Sequence, residues 1–263
     1  MVTVADILQF VETLAPTFMK MEWDHVGLNC GRPENTVGKV LVALDPFDEA
    51  IEEAREFGAQ LLLTHHVLVY DPGFITSQDT QGRRILTLIE NGIAHINAHT
   101  NLDCAPGGVN DCLAESLGLS DIQIPFPMGT DENGAPYGLI RTGTVTPQPL
   151  KTFLETVKLR LGSPGLRYVS TGKDVHRVAV GGGSCGDFLL EAYNAGCDTF
   201  VTADIKYNVF RDAFDLGMNL IDAGHFHTEN PVCRYLAQRL QSRFPELEVK
   251  VSEKHTDPMK FFI

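Results

Sequence analysis

The sequence predicts an α/β protein of two pseudo-symmetric three-layer lobes arising from an internal duplication, and three observations predict it. Short apolar runs alternate with amphipathic stretches along the chain, the pattern of parallel strands joined by crossover helices. At 263 residues the chain is long for one core and short for three, which allows one large domain or two compact lobes. Above all, Val40–Thr64 lies over Val178–Thr202 with six of 25 positions identical and the same order of strand, helix, glycine turn and strand. The competing reading is one doubly wound sheet in which that likeness is coincidental.

Each copy reads as a β-α-β unit. Val37–Asp45 is a continuous apolar run, as in a strand buried on both faces. Pro46–Phe57 has helical periodicity with acidic residues in its first turns, where they meet the positive end of the helix dipole, and Gly58 stands at its C-cap. There follow a strand Leu61–Thr64, a helix Thr80–Asn91, a strand Ile93–Ala98 and a helix Gly108–Leu117. Tyr137–Val145 reads as a strand, and Leu150–Leu161 as a helix. The second copy runs through Arg177–Val180, Phe188–Ala195, Thr199–Thr202, Tyr207–Leu216, Met218–Asp222 and Glu229–Arg243. The expected lobes are 1–125 and 126–263, with terminal segments free to cross from one to the other.

Composition narrows the partners. Lys+Arg 21 against Asp+Glu 34 gives a formal charge of −13, which argues against duplex nucleic acid, whose phosphates need a basic face. No apolar stretch approaches the roughly 20 residues that span a bilayer, and Met1–Phe10 lacks the basic start of an export signal. The six cysteines form no C-x-x-C pair, so free buried thiols and a cytoplasmic location are expected.

In open α/β sheets ligands bind beyond the carboxyl ends of the strands. There the sequence places His65-His66, then His99 with Asp103, then Asp204, and finally His225 with Glu229. Imidazole mixed with carboxylate suits Zn, Fe, Mn or Ni, whereas Mg or Ca would call for oxygen alone. His225 and Glu229, four apart, share one face of a helix that begins near His225. His95, His176 and His255 read as structural. His25 and His227 are open between a role facing substrate and plain surface. Gly181-Gly182-Gly183-Ser184 is open between a tight turn and an anion site of backbone N–H groups.

The segments Trp23-Asp24-His25-Val26-Gly27-Leu28, Thr64-His65-His66, Ala98–Asp111, Gly181–Ser184 and Asp222–Glu229 together resemble the Nif3-like dinuclear metal centre family, whose bacterial members are often labelled GTP cyclohydrolase 1 type 2 homologs. The resemblance implies a metal site between two lobes, holding two divalent ions per subunit through His65, His66, Asp103, His225 and Glu229. It also implies a homohexameric ring and a small nucleotide-like substrate. The expected reaction is metal-dependent hydrolysis, with ring opening of GTP as the specific form and Asp24, His99 and Asp204 as proton-transfer or ligand-orienting candidates. The alternative is a metal-binding regulatory or protein-interaction module without turnover. The chain departs from the family pattern at His25, Val67 and Asn208, none of which is a metal ligand.

Overall fold

The computed structural model describes residues 1–71 and 73–262, which form two compact α/β units. The first comprises Met1–Ala105 and Val232–Thr256; the second comprises Pro106–Pro231 and the chain from Asp257 onward.

The first unit opens with α1 (Val4–Leu14), fixed by a capping box in which Thr3 Oγ1 accepts from the Asp6 N–H at 3.2 Å while the Asp6 carboxylate accepts from the Thr3 N–H at 2.8 Å. Then come β1 (Gly27–Cys30), β2 (Lys39–Ala43), α2 (Asp48–Phe57), β3 (Leu61–Thr64), α3 (Thr80–Glu90), β4 (Ala94–Asn97) and a short α4 (Thr100–Cys104). The second unit runs through α5 (Val109–Ser116), β5 (Ser120–Gln123), the small hairpin β6 (Gly129–Thr130) and β7 (Pro136–Tyr137), β8 (Arg141–Gln148), α6 (Leu150–Leu161) and β9 (Arg167–Val169). It continues through β10 (Val175–Val180), α7 (Leu189–Asn194), β11 (Thr199–Thr202), α8 (Tyr207–Leu216), β12 (Asn219–Asp222) and α9 (His225–Glu229). The chain re-enters the first unit with α10 (Pro231–Arg243) and β13 (Glu248–Val251).

The sheet of the first unit has the order β1-β4-β3-β2-β13, all parallel except β1. That of the second has the order β5-β8-β10-β11-β12-β9, with β10, β11 and β12 parallel and their flanking strands antiparallel. The repeat therefore appears as a parallel triplet in each sheet. Its register is kept as well: Val40 pairs with Leu61, and Val178 with Thr199, so both partners move by the same offset.

Alternating strand residues explain the layers. In the second unit Val178, Val180, Val201 and Ile221 pack with Leu113 of α5 and with Phe153 and Val157 of α6. Their neighbours Ala179, Phe200 and Leu220 pack with Leu189 and Ala192 of α7 and Ala213 of α8. In the first unit Leu41, Ala43 and Leu62 meet Ala50, Ile51 and Ala54 of α2 and Ile85 and Leu88 of α3, while Val40, Val42, Leu61 and Leu63 are buried in turn. A strand buried on both faces has no polar alternation, hence the unbroken apolar runs.

Two expectations change. The first unit's leading segment ends at Ala105 and not at 125, because Leu113, Ala114 and Leu117 of α5 pack in the second core, while β13 pairs in parallel with β2 in the first unit, a crossing that the sequence left open. The helix expected from Glu229 starts two residues later as α10, with Pro231 at its first position, where its missing N–H costs nothing, and Glu229 instead ends the short α9 that begins at His225.

The returning segment is fastened by Glu53 of α2, a carboxylate with only 3% exposure. It accepts from Ser252 Oγ at 2.6 Å, from the backbone N–H groups of Glu253 and Lys254, and from Lys250 Nζ at 2.9 Å. Burial alone would raise its pKa; the bonds from Ser252, Lys254, Lys250 and Glu253 outweigh that and hold it at about 2. The charged form is thus favoured by folding, and its stabilisation is present above the ordinary value of 4.5 and lost as pH falls toward about 2. Glu53→Gln is expected to cost about 1–3 kcal/mol near neutral pH. Urea unfolding at a series of pH values should show the gap between the two proteins closing across that acid window.

Candidate metal centre

Because β2, β3 and β4 run parallel and adjacent, their carboxyl ends lie side by side. Asp45 follows the first, His65 and His66 the second, and His99 the third, with Asp103 one turn further on in α4. His65 is fully buried, and its Nδ1 lies 2.8 Å from the Ala98 carbonyl oxygen. A carbonyl only accepts, so Nδ1 carries the hydrogen. In the neutral ring the lone pair is then on Nε2, which lies 3.5 Å from Oδ1 of Asp103.

His66 repeats the arrangement with a carboxylate. Its Nδ1 is 2.6 Å from Oδ1 of Asp45, whose Oδ2 is 2.7 Å from Nε2 of His255. Burial pulls the Asp45 carboxyl up, but the bonds from His255 and His66 prevail and leave it well below the usual carboxylate range. His99 makes the third case, with Nδ1 2.9 Å from Oδ1 of Asp24. Asp24 also accepts from the N–H of His25 at 2.8 Å and from the N–H and hydroxyl of Thr100 at 3.0 and 2.5 Å. Burial raises its pKa, and the bonds from His99 and Thr100 overcome that, holding it at about 2. One ligand atom each from His65, His66 and His99 lies within 4.8 Å of the other two.

The second unit carries its own set of candidate residues. Its parallel triplet delivers Asp204 after β11 and α9 after β12. His225 starts α9, with Nδ1 2.6 Å from Oδ2 of Asp204 and Nε2 3.0 Å from Oε2 of Glu229 at the end of the same helix. Asp204 takes a left-handed conformation at φ 53°, one that Asp tolerates better than most residues.

The glycine turn serves this helix. Gly182 donates its N–H to Asn110 Oδ1 at 2.7 Å, and Gly183 donates to Thr228 Oγ1 at 3.0 Å. Those two N–H groups are already committed, so the turn is not the backbone anion cradle that its sequence left open. Its glycines give room instead. A Cβ on Gly183 would stand 2.1 Å from Oε1 of Glu229, and the residue has φ 63°.

The donors fit a metal. Imidazole nitrogens oriented through Nδ1, with carboxylate oxygens near them, form the set that first-row divalent ions prefer. The structure brings His65, His66, His99 and Asp103 together in one unit and His225 with Glu229 in the other. Asp24 and Asp204 hold imidazoles, and His99 joins the group able to hold an ion. Asp45 escaped the sequence reading although it too stands at a strand end, the one signal that could have found it. His255, read as structural, completes the Asp45–His66 chain from 210 residues away in sequence. His95 is structural: fully buried, bonded to Thr64 Oγ1 at 2.8 Å, and pushed by burial down to about 3. His227 lies between the Leu161 carbonyl and Asp257, whereas His25 and His176 are exposed.

Comparison with known proteins agrees over the whole chain. The family model described as Duf34/NIF3 (NGG1p interacting factor 3) matches residues 2–258. A Clostridium perfringens protein named GTP cyclohydrolase 1 type 2 homolog is 36% identical, covering 97% of this chain and 98% of that one. A Streptomyces coelicolor protein of the same name is also 36% identical, over 97% and 92%. Among solved structures, a Bacillus cereus protein related to NIF3 superposes with a TM-score of 0.93 at 26% identity over 100% and 99% of the two chains. A hypothetical protein of Staphylococcus aureus gives 0.93 at 29% identity over 99% of each.

Two substitutions test the supports. Asp45→Asn keeps the shape around His66 and removes the charge that orients it; divalent-metal affinity by calorimetric titration should fall about 10–100-fold with the fold intact. Gly183→Ala should displace Glu229 and strain the turn, lowering the melting temperature and abolishing binding of at least one equivalent of metal.

Proposed function

The chain belongs to the Duf34/NIF3 family, and from that premise we propose a hydrolase that works with two divalent metal ions per subunit on a small nucleotide-like substrate. His65, His66 and Asp103 of the first unit and His225 and Glu229 of the second are the proposed ligands. The observation that carries the reading is the repeated commitment of histidine Nδ1: to the Ala98 carbonyl, to Asp45 and to Asp204. Any buried imidazole needs an acceptor for its N–H; here the acceptors also leave Nε2 of His65 3.5 Å from Asp103 and Nε2 of His225 3.0 Å from Glu229. When bound, such ions supply Lewis acidity and lower the pKa of water.

The chain's own residues divide the remaining work. Asp24, fully buried and held ionised at about 2, is poorly suited to donate a proton near neutral pH and serves to orient His99. Asp204 holds His225 in the same way. His99 is then the proton-transfer group among the three candidates, placed beside the rings of His65 and His66 at centroid distances of 5.2 and 5.5 Å. The name carried by the curated relatives makes ring opening of GTP the first reaction to assay. The proposed working form is a homohexamer in the cytoplasm, with its charge of −13 per chain relieved by bound cations.

Metal content and turnover decide the matter together. Purified protein should hold two equivalents of divalent ion by elemental analysis and hydrolyse GTP or a phosphoester only when loaded. His65→Ala should lose metal and at least a hundredfold in rate, and a chelator should lower the melting temperature of the native protein. Full metal occupancy with no turnover on any nucleotide or phosphoester would leave a binding module in place of the enzyme.

A further inference from the structure

Beside the histidine group of the first unit lies a set of exposed aromatic rings that the metal reading does not use. Trp23, the only tryptophan, is 61% exposed, and Tyr70 is 47% exposed. Their ring centroids are 6.2 Å apart with 45° between planes, and Tyr70 stands in the same relation to His25, at 6.0 Å and 42°. Trp23 in turn lies 6.1 Å from the ring of His99. The aromatic surface is therefore continuous with the candidate metal ligands.

The exposure is built in. Trp23 and His25 flank Asp24, whose carboxylate is pinned by His99 and Thr100. The backbone on the Trp23 side is tied by the Asp24 N–H to the Met21 carbonyl at 3.0 Å, by Lys20 Nζ to the Asp24 carbonyl at 2.6 Å, and by the Met21 N–H to Thr100 Oγ1 at 2.9 Å. On the other side Asn97 donates to the His25 carbonyl at 3.0 Å. A large ring held outward on so constrained a loop is organised before any ligand arrives.

We propose that Trp23, His25 and Tyr70 form a stacking platform that binds a planar nitrogen heterocycle, such as a purine, and so presents the attached part of the substrate to the histidine group. This deepens the hydrolase reading, on which it rests for the role of the neighbouring histidines. Ring faces favour a flat π-system, and sequence-tolerant stacking on aromatics is a general mode of holding a base. The indole N–H and the imidazole give the rim polar groups that heterocyclic nitrogens and oxygens can bond, while Tyr70 contributes its ring face.

Trp23 also provides the readout, since its fluorescence is the protein's sole indole signal. The full chain, freed of metal, is titrated with guanosine 5′-monophosphate and separately with ribose 5-phosphate. The nucleotide should quench saturably and the sugar phosphate should not. Tyr70→Ala should weaken the nucleotide about tenfold, and Tyr70→Phe, which keeps the ring, should restore it. Absence of saturable quenching at millimolar nucleotide, an equal response to the sugar phosphate, or the same loss in Tyr70→Phe would overturn the platform. Quenching in a protein that shows no hydrolase activity would support the platform and remove the reaction. Metal-dependent hydrolysis without quenching would remove the platform alone.

Discussion

The hydrogen bond at histidine Nδ1 is the constraint on which the candidate centre depends. An imidazole is useful to a metal only when one nitrogen is presented in a defined direction with its lone pair available. At His65 a backbone carbonyl enforces this, and at His66, His99 and His225 the acceptor is a carboxylate. Each acceptor comes from a different stretch of chain than its histidine. The parallel triplets supply the means: adjacent strands that run in one direction deliver the residues after their carboxyl ends to one edge.

Charged acceptors in a buried place need stabilisation of their own. Asp24 receives four hydrogen bonds, and Asp45 is shared by two imidazoles. One of those imidazoles, His255, lies on the segment that re-enters the first unit from the C-terminal end, where β13 pairs with β2 and Glu53 binds the residues that follow. The exchange of chain between the two units thus has a local consequence. A remote segment closes the support of a candidate ligand, so core stability and metal affinity share hydrogen bonds.

Space is the second constraint. Gly183 leaves the volume that the Glu229 carboxylate occupies, and the turn spends its N–H groups on Asn110 and Thr228 to hold that shape. The opposite choice is made around Trp23, where a hydrogen-bonded loop leaves a large ring exposed instead of folding it inward. The turn at Gly183 is shaped by leaving a side chain out, the loop at Trp23 by holding one exposed.

The sequence by itself determined much of this. Unbroken apolar runs set out parallel strands buried on both faces, the repeat predicted two matching triplets, and the strand-end rule located His65, His66, His99, Asp103, Asp204, His225 and Glu229. These features are local: each is written in periodicity or in a residue's distance from a strand end. The edge strands β1, β5, β9 and β13 were not legible, because they are short and mixed in polarity and exist only through pairing with a neighbour. Nor were the Asp45–His255 contact, the crossing of chain between units, or the purpose of Gly183. Each of those joins residues with no fixed separation in sequence. Only packing, which brings distant segments within a few ångströms and makes buried polar atoms find partners, decides between them.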